Sequence, residues 1–212
     1  MSRMLKKMPQ VAVLLPTSVK VSRDMRRGIL QYVYRHGPWG LHIIEGRRGE
    51  QKLVRMEEWG CTGIIGRLYT PELVRVASRV DIPQVLVEPE GLSLRSNHSL
   101  ARHSIVRSDT AAVGRMAADY FLNRKFVHYA YVGEVQGVGW SVKRGEAFAA
   151  VVRKAGFDCH VYGALSREEQ KDAGLERNRL CEWLRELPKP AALLAAMDNR
   201  GRQVMDACAW AG

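Results

Sequence analysis

Short apolar runs alternate with amphipathic stretches along the whole chain. Val11-Ala-Val-Leu-Leu15 is a continuous apolar run closed by Pro16, the pattern of a strand buried on both faces. Val21 to His36 follows at helical spacing, with Met25, Ile29, Tyr32 and Val33 as its apolar positions, and Gly37-Pro-Trp-Gly40 breaks it. A second strand is predicted from Leu41 to Glu45. A second helix runs from Gln51 to Trp59 with Leu53, Met56 and Trp59 on one stripe, and Gly63-Ile-Ile-Gly66 is a very short third strand. Pro71 suits a first helical turn and opens a third helix to about Arg79; Gln84 to Val87 is a fourth strand after Ile82-Pro83. These strands are too apolar for a one-sided sheet. Their alternation with helices predicts a parallel, helix-covered α/β sheet, whose right-handed crossovers bring the strand carboxyl ends to one edge.

Pro89 to His103 is a loop without periodicity, and Ser104 to Ser108 reads as a short strand or crossover. Asp109 or Ser108 caps a helix through Asn123, with Val113, Met116, Ala117, Tyr120 and Phe121 expected on its buried side. A second cycle follows: strand 128–132, a glycine-rich turn, helix 141–155, strand Cys159 to Tyr162, helix 168–187, strand Ala191 to Ala196 and a last helix from Asn199. Two sets of similar rhythm predict a tail of residues 1–9 and two α/β subdomains, 10–106 and 107–212, with a ligand cleft between them. The chain stops within its last helix, so the second subdomain reads as incomplete at its C-terminus and the chain as a fragment of a longer protein.

Charge adds one asymmetry. The net charge is +11, and residues 1–107 hold 18 Lys and Arg against 9 Asp and Glu, while residues 108–212 hold 15 against 13. Such an imbalance suits work near a polyanion, or a solvated basic surface. No basic helix is interleaved with aromatics in the manner of a recognition helix. No apolar run approaches the ~20 residues of a membrane helix. The basic start, Met1 to Lys7, is followed by a five-residue strand instead of a signal peptide's apolar stretch, which makes the cytoplasm the expected location. Cys61, Cys159, Cys181 and Cys208 are scattered without a Cys-x-x-Cys pair, and His98 and His103 share a loop with no acidic cluster. Four reduced packing thiols, and neither metal nor cofactor, are expected.

The chemistry gathers at the turn from Val132 to Ser141. A strand that ends in a loose turn and feeds a helix exposes backbone N–H groups at a sheet edge, where open α/β proteins bind small molecules. Trp140 offers a flat face for a sugar ring, Ser141 a hydroxyl and a helix N-cap, and Arg144 a rigid fork of donors. Asp198 follows the strand Ala191–Ala196 on the same edge. A guanidinium and a carboxylate together satisfy a sugar hydroxyl, which both donates and accepts. The first subdomain adds Thr17 and Ser18, Arg67 and Glu88 at its strand ends. Each has a plain alternative: Asp198 as an N-cap, Trp140 as a packing residue, Arg144 as a surface residue, the others as polar loop residues.

Several of these stretches resemble a known group. The crossover Ile105-Val-Arg-Ser-Asp109 with Gly114, the run Ser141-x-x-Arg144-Gly145 with Phe148, and Ala195-Ala-Met-Asp198-Asn199 resemble the type I periplasmic-binding-protein fold as used in sugar-responsive repressors of the LacI/GalR kind. The glycine of the second motif comes early here. Gly-x-x-Trp140-Ser, Asn178-Arg-Leu-x-x-Trp183-Leu and Leu187-Pro188 resemble more closely the xylose operon regulators of the AraC class. Those attach a sugar-sensing domain to a C-terminal helix-turn-helix DNA-binding domain, which is absent from this chain. The resemblance covers about residues 10–210. It implies a monosaccharide effector such as xylose, Arg144 and Asp198 as its principal contacts, DNA as the partner of the missing domain, a homodimer, and no membrane. It also implies closure of the two subdomains on the sugar as the signal, by population shift.

Two rival classes share features with this reading. Gly133-x-x-x-Gly137-x-Gly139 could cradle a phosphate in an enzyme, but it lacks the Gly-Lys-Ser/Thr ending of a Walker loop and the Gly-x-Gly-x-x-Gly spacing, and no nucleophile with base accompanies it. No enzymatic activity is expected. A sugar-binding protein of a transport system would share fold and ligand chemistry, against which the absent signal peptide argues.

Overall fold

The apolar runs fold into two parallel sheets. The computed structural model describes residues 8–44, 55–56, 58–89, 99–135, 138–163, 165–166, 168–169 and 172–211. Its chain divides into two units, Met1–Ser108 and Asp109–Gly212. The expected residues Glu45, Leu53 and His98, and most of the helix 51–59, lie outside the described residues.

The first unit contains β1 (Gln10–Leu14), α1 (Lys20–His36), β2 (Gly40–Ile43), β3 (Gly63–Gly66), α2 (Pro71–Ala77), β4 (Gln84–Val87) and β5 (Ser104–Val106). All pairings are parallel, in the order β2-β1-β3-β4-β5. Side chains alternate across a strand, so β1 feeds two cores. Val11, Val13 and Leu15 join Val87 beneath Met25 and Ile29 of α1. Ala12 and Leu14 join Ile64, Met56 and Leu73 on the other face. That two-sided burial is why the strands read as continuous apolar runs. Thr70 caps α2 by accepting the Leu73 amide at 3.1 Å, with Pro71 in the first turn. Tyr32, expected inside, is half exposed and stacks on His36 at the helix end.

The second unit contains α3 (Thr110–Asn123), β6 (His128–Val132), α4 (Gly139–Lys154), β7 (Cys159–Tyr162), α5 (Ala173–Glu186), β8 (Ala191–Ala195) and α6 (Asp198–Ala211). Its described sheet has the order β7-β6-β8, all parallel. Tyr129 and Tyr131 pack with Ala118, Phe148 and Val152, while Val132 points to a second core with Leu180, Leu184 and Val204. Asp109 caps α3 by accepting the Ala112 amide at 2.8 Å.

The buried face of α3 differs from the expectation. Met116 and Tyr120 are exposed, and Gly114 and Ala118 are buried instead. A Cβ on Gly114 would stand 2.3 Å from the Arg144 carbonyl oxygen, so α3 and α4 approach at backbone distance. Small residues fit that seam, Met116 and Tyr120 are turned away from it, and Ala117 and Phe121 pack against the core as expected, Phe121 edge-on to Phe148 of α4 at 6.1 Å. α5 starts at Ala173 rather than 168, because Asp172 caps it by accepting the amides of Gly174 and Leu175. All four cysteines are free; Cys181 is buried, Cys61 and Cys159 are half-buried, and Cys208 is exposed.

Candidate functional site

β6 ends at Val132, and the chain passes Gly133, Glu134 and Val135 before α4 opens at Gly139. Gly137 lies outside the described residues. The N-cap of α4 is Val138, which makes no side-chain bond, so Ser141 is a first-turn residue and not the cap. Its side chain faces inward and is 1% exposed. The Ser141 hydroxyl accepts the Glu134 amide at 2.9 Å and meets the Tyr131 hydroxyl at 3.0 Å; that phenol also donates to the Ser141 carbonyl at 2.7 Å. Burial pushes the Tyr131 phenol pKa up, against the downward pull of the Ser141 bond and the Arg144 charge. Ser141 therefore spends its polar atoms on the turn.

Arg144 is half-buried and lies over the Trp140 ring, 5.0 Å from guanidinium carbon to ring centroid. Such a cation–π contact contributes about 0.5–1 kcal/mol. Its Nη1 donates to the carbonyl of Ala196, just past β8 and just before Asp198 opens α6. Its Nε is buried without a partner. Trp140 is held through its own carbonyl, which accepts the Thr110 hydroxyl at 3.0 Å. Gly145 is explained here: a Cβ would stand 2.4 Å from the Tyr131 ring, so the residue after Arg144 must be small for α4 to settle on β6. Arg144, Trp140 and the exit of β8 thus meet in the second unit. Asp198 stands at that exit with its side chain exposed.

In the first unit, β1, β3 and β4 are parallel neighbours, so Thr17, Arg67 and Glu88 follow strands that end on one edge. Thr17 is exposed, and its carbonyl accepts Arg23 at 2.6 Å. Arg67 is half-buried, and its amide extends the β1–β3 ladder to Leu14 at 3.0 Å. Glu88 has a left-handed φ of 44°, and its carboxylate accepts both the amide and the hydroxyl of Ser108, at 2.7 and 2.6 Å. These groups lie at their strand ends, each engaged with its own surroundings.

Sequence reasoning passed over Arg200, the most deeply buried charge among the described residues at 2% exposure. Its Nε donates to the Gly133 carbonyl at 2.9 Å, Nη1 to Gln203 at 2.7 Å, and Nη2 lies 2.7 Å from Glu176 as an ion pair rather than an aligned hydrogen bond. The Tyr162 ring lies 5.5 Å away, its phenol pKa raised by burial and by Glu176. The available signal was position: a cation in the first turn of α6 opposes the helix dipole and needs a partner elsewhere. A cavity of about 420 Å³ lies between α5 and α6, lined by Arg177, Asn178, Cys181, Glu182, Arg185 and Trp210; none of the candidate residues lines it. Among the described residues, no group of three or more His, Cys, Asp or Glu could hold a metal ion. No described helix is long and apolar enough to cross a membrane.

The parallel helix-covered sheets have the type I periplasmic-binding-protein-like fold of the solved structures they resemble, and residues 118–212 match the family model of a periplasmic binding protein-like domain. The particular likeness is to xylose operon regulators. The chain is 23% identical to the xylose operon regulatory protein of Escherichia coli (strain K12) over 208 residues, covering 97% of this chain and 52% of that protein. It superposes on the structure of a xylose-binding transcription activator with a TM-score of 0.74 and 22% identity, covering 98% of this chain and 51% of that one. It superposes on an ABC transporter solute-binding protein from Burkholderia multivorans with a TM-score of 0.68 and 17% identity, covering 97% and 76%. The chain spans about half the length of the curated relatives it matches. The resemblance read from its motifs is borne out along nearly the whole chain.

Proposed function

We propose that this chain is the monosaccharide-sensing part of a transcriptional regulator, with xylose or a related sugar as effector. The observation that carries the reading is Arg144. Its guanidinium is braced against the Trp140 face and the Ala196 carbonyl, at the sheet edge where Asp198 begins α6. An aromatic face, a fixed fork of donors and a nearby carboxylate are what a polyhydroxylated ring needs. Trp140, Arg144 and Asp198 are the ligand contacts of the second unit, and Ser141 supports them by shaping the turn. Thr17, Arg67 and Glu88 are the first unit's candidates. The domain division 10–106 and 107–212, a helix-turn-helix domain elsewhere in the longer protein, DNA as its partner, a homodimer and a cytoplasmic location belong to the same reading.

The support is the likeness to xylose operon regulators over nearly the full chain. Titration calorimetry of the protein with D-xylose and a panel of pentoses and hexoses tests it. One sugar should bind saturably, and Arg144→Ala should weaken it at least about tenfold, which is about 1.4 kcal/mol. Undiminished affinity in Arg144→Ala contradicts the reading. A second reading, a solute-binding protein of a transport system, draws on the likeness to the Burkholderia multivorans protein. Sugar-dependent binding of the full-length protein to operator DNA separates the two.

A further inference from the structure

Gly133, Glu134 and Val135 lie outside strand and helix, yet each is held by a different element. The Gly133 carbonyl accepts Arg200 Nε of α6 at 2.9 Å. The Glu134 amide donates to the Ser141 hydroxyl of α4 at 2.9 Å. The Val135 carbonyl accepts the Leu165 amide, from the segment after β7, at 3.3 Å. The turn matters because the start of α4 has little of its own to anchor it: Val138 makes no side-chain cap, and its first turn has no acidic residue.

Of the three ties, only the one from Arg200 comes from a buried charge. A guanidinium taken out of water must be compensated at every nitrogen. Here Glu176 faces Nη2, Gln203 accepts from Nη1 and Gly133 from Nε, with the Tyr162 ring against the plane. Glu176, itself mostly buried, sits in the first turn of α5. The pair therefore joins α5 and α6 to the exit of β6. Arg200 also shares the first turn of α6 with Asp198, so a fixed guanidinium fixes that turn's rotation.

We propose that Arg200 is a positioning residue for the ligand site: held by Glu176, it fixes the Gly133 carbonyl and keeps the turn before α4 in register with the end of β8. It touches no ligand itself. The inference rests on the sugar-site reading of Trp140, Arg144 and Asp198 and extends it to a residue behind them.

Two variants test it in the full-length protein. Arg200→Lys keeps the charge but loses the planar fork, and Glu176→Gln keeps the shape but removes the counter-charge. Amide hydrogen exchange at Glu134 and Leu165, measured without sugar, reports the turn, while Tyr129 to Val132 report global stability. D-xylose titration reports the site. The expected result in both variants is exchange at Glu134 and Leu165 about tenfold faster, unchanged protection in β6, and affinity about tenfold weaker. Wild-type exchange in the turn of a folded variant overturns the proposal, as does wild-type affinity with a loosened turn. If Arg200→Lys also loses protection in β6, Glu176→Gln decides on the same two readouts. If the wild-type protein takes up no sugar, the sugar-site reading falls separately, and the exchange rates alone decide whether Arg200 holds the turn.

Discussion

The two units hold the residues at their strand ends by different means. In the first, they bond to a neighbouring strand's end or to the next helix: the Glu88 carboxylate to Ser108 past β5, the Arg67 amide to the Leu14 carbonyl of β1, and the Thr17 carbonyl to Arg23 of α1. In the second, side chains cross between elements, with Arg144 of α4 on the exit of β8 and Arg200 of α6 on the exit of β6. A parallel sheet collects polar residues at one edge in either case. In the second unit the helices lie close enough for long arginine side chains to reach the neighbouring strand's end. The basic excess runs the other way, with 18 Lys and Arg against 9 acidic residues in residues 1–108 and 15 against 13 in the remainder. The overall positive charge is thus not what builds the arginine-lined edge.

Glycine substitutions sharpen this contrast most. Gly114→Ala gains about 1 kcal/mol of helix propensity but drives a methyl to 2.3 Å from the Arg144 carbonyl oxygen. Overpacking against backbone wins, and the second unit should lose roughly 1–2 kcal/mol net, measured by denaturant unfolding. Gly28→Ala in α1 of the first unit meets nothing within 4 Å, and the same substitution should there stabilise by about 0.5–1 kcal/mol. Like signs at the two positions would break the contrast.

Ser141→Ala comes next. It removes the acceptor of the Glu134 amide and a partner of Tyr131, and a buried unsatisfied donor costs about 1–3 kcal/mol. Faster exchange at the Glu134 amide should accompany the loss, and a neutral Ser141→Ala would mean that the turn is held without it. The smallest effect is kinetic. Burial raises the pKa of Cys61 and Cys159, lowering their thiolate fraction at neutral pH, so exposed Cys208 should react first with a thiol reagent. Mass spectrometry of partly labelled protein reads the order directly.

What was legible in the sequence follows from how far each signal reaches. β1, β3 and β4 were visible because two-sided burial leaves a run of apolar residues with sharp ends. Asp109 and Thr70 mark helix starts with local chemistry, and Asp109 is one of the two caps, with Ser108, that the sequence offered. The face of α3 was legible only in part, with Ala117 and Phe121 read correctly. Size was taken as the mark of burial, whereas the close seam with α4 selects Gly114 and Ala118 and leaves Met116 and Tyr120 outside. Ser141 looked like a cap because it precedes an apolar stretch, but α4 begins two residues earlier and turns that hydroxyl inward. Arg200 was missed since its partners, Gly133 and Glu176, come from segments that only the folded sheet brings together.

The central claim is that Trp140 and Arg144 form one face of a sugar site. Its most direct measurement is the fluorescence of the protein during titration with D-xylose, in wild type and in Trp140→Phe. The account predicts a saturable change in wild type that is largely lost in Trp140→Phe, with weakened binding by calorimetry. A saturable change of full size in Trp140→Phe, with affinity intact, would contradict it.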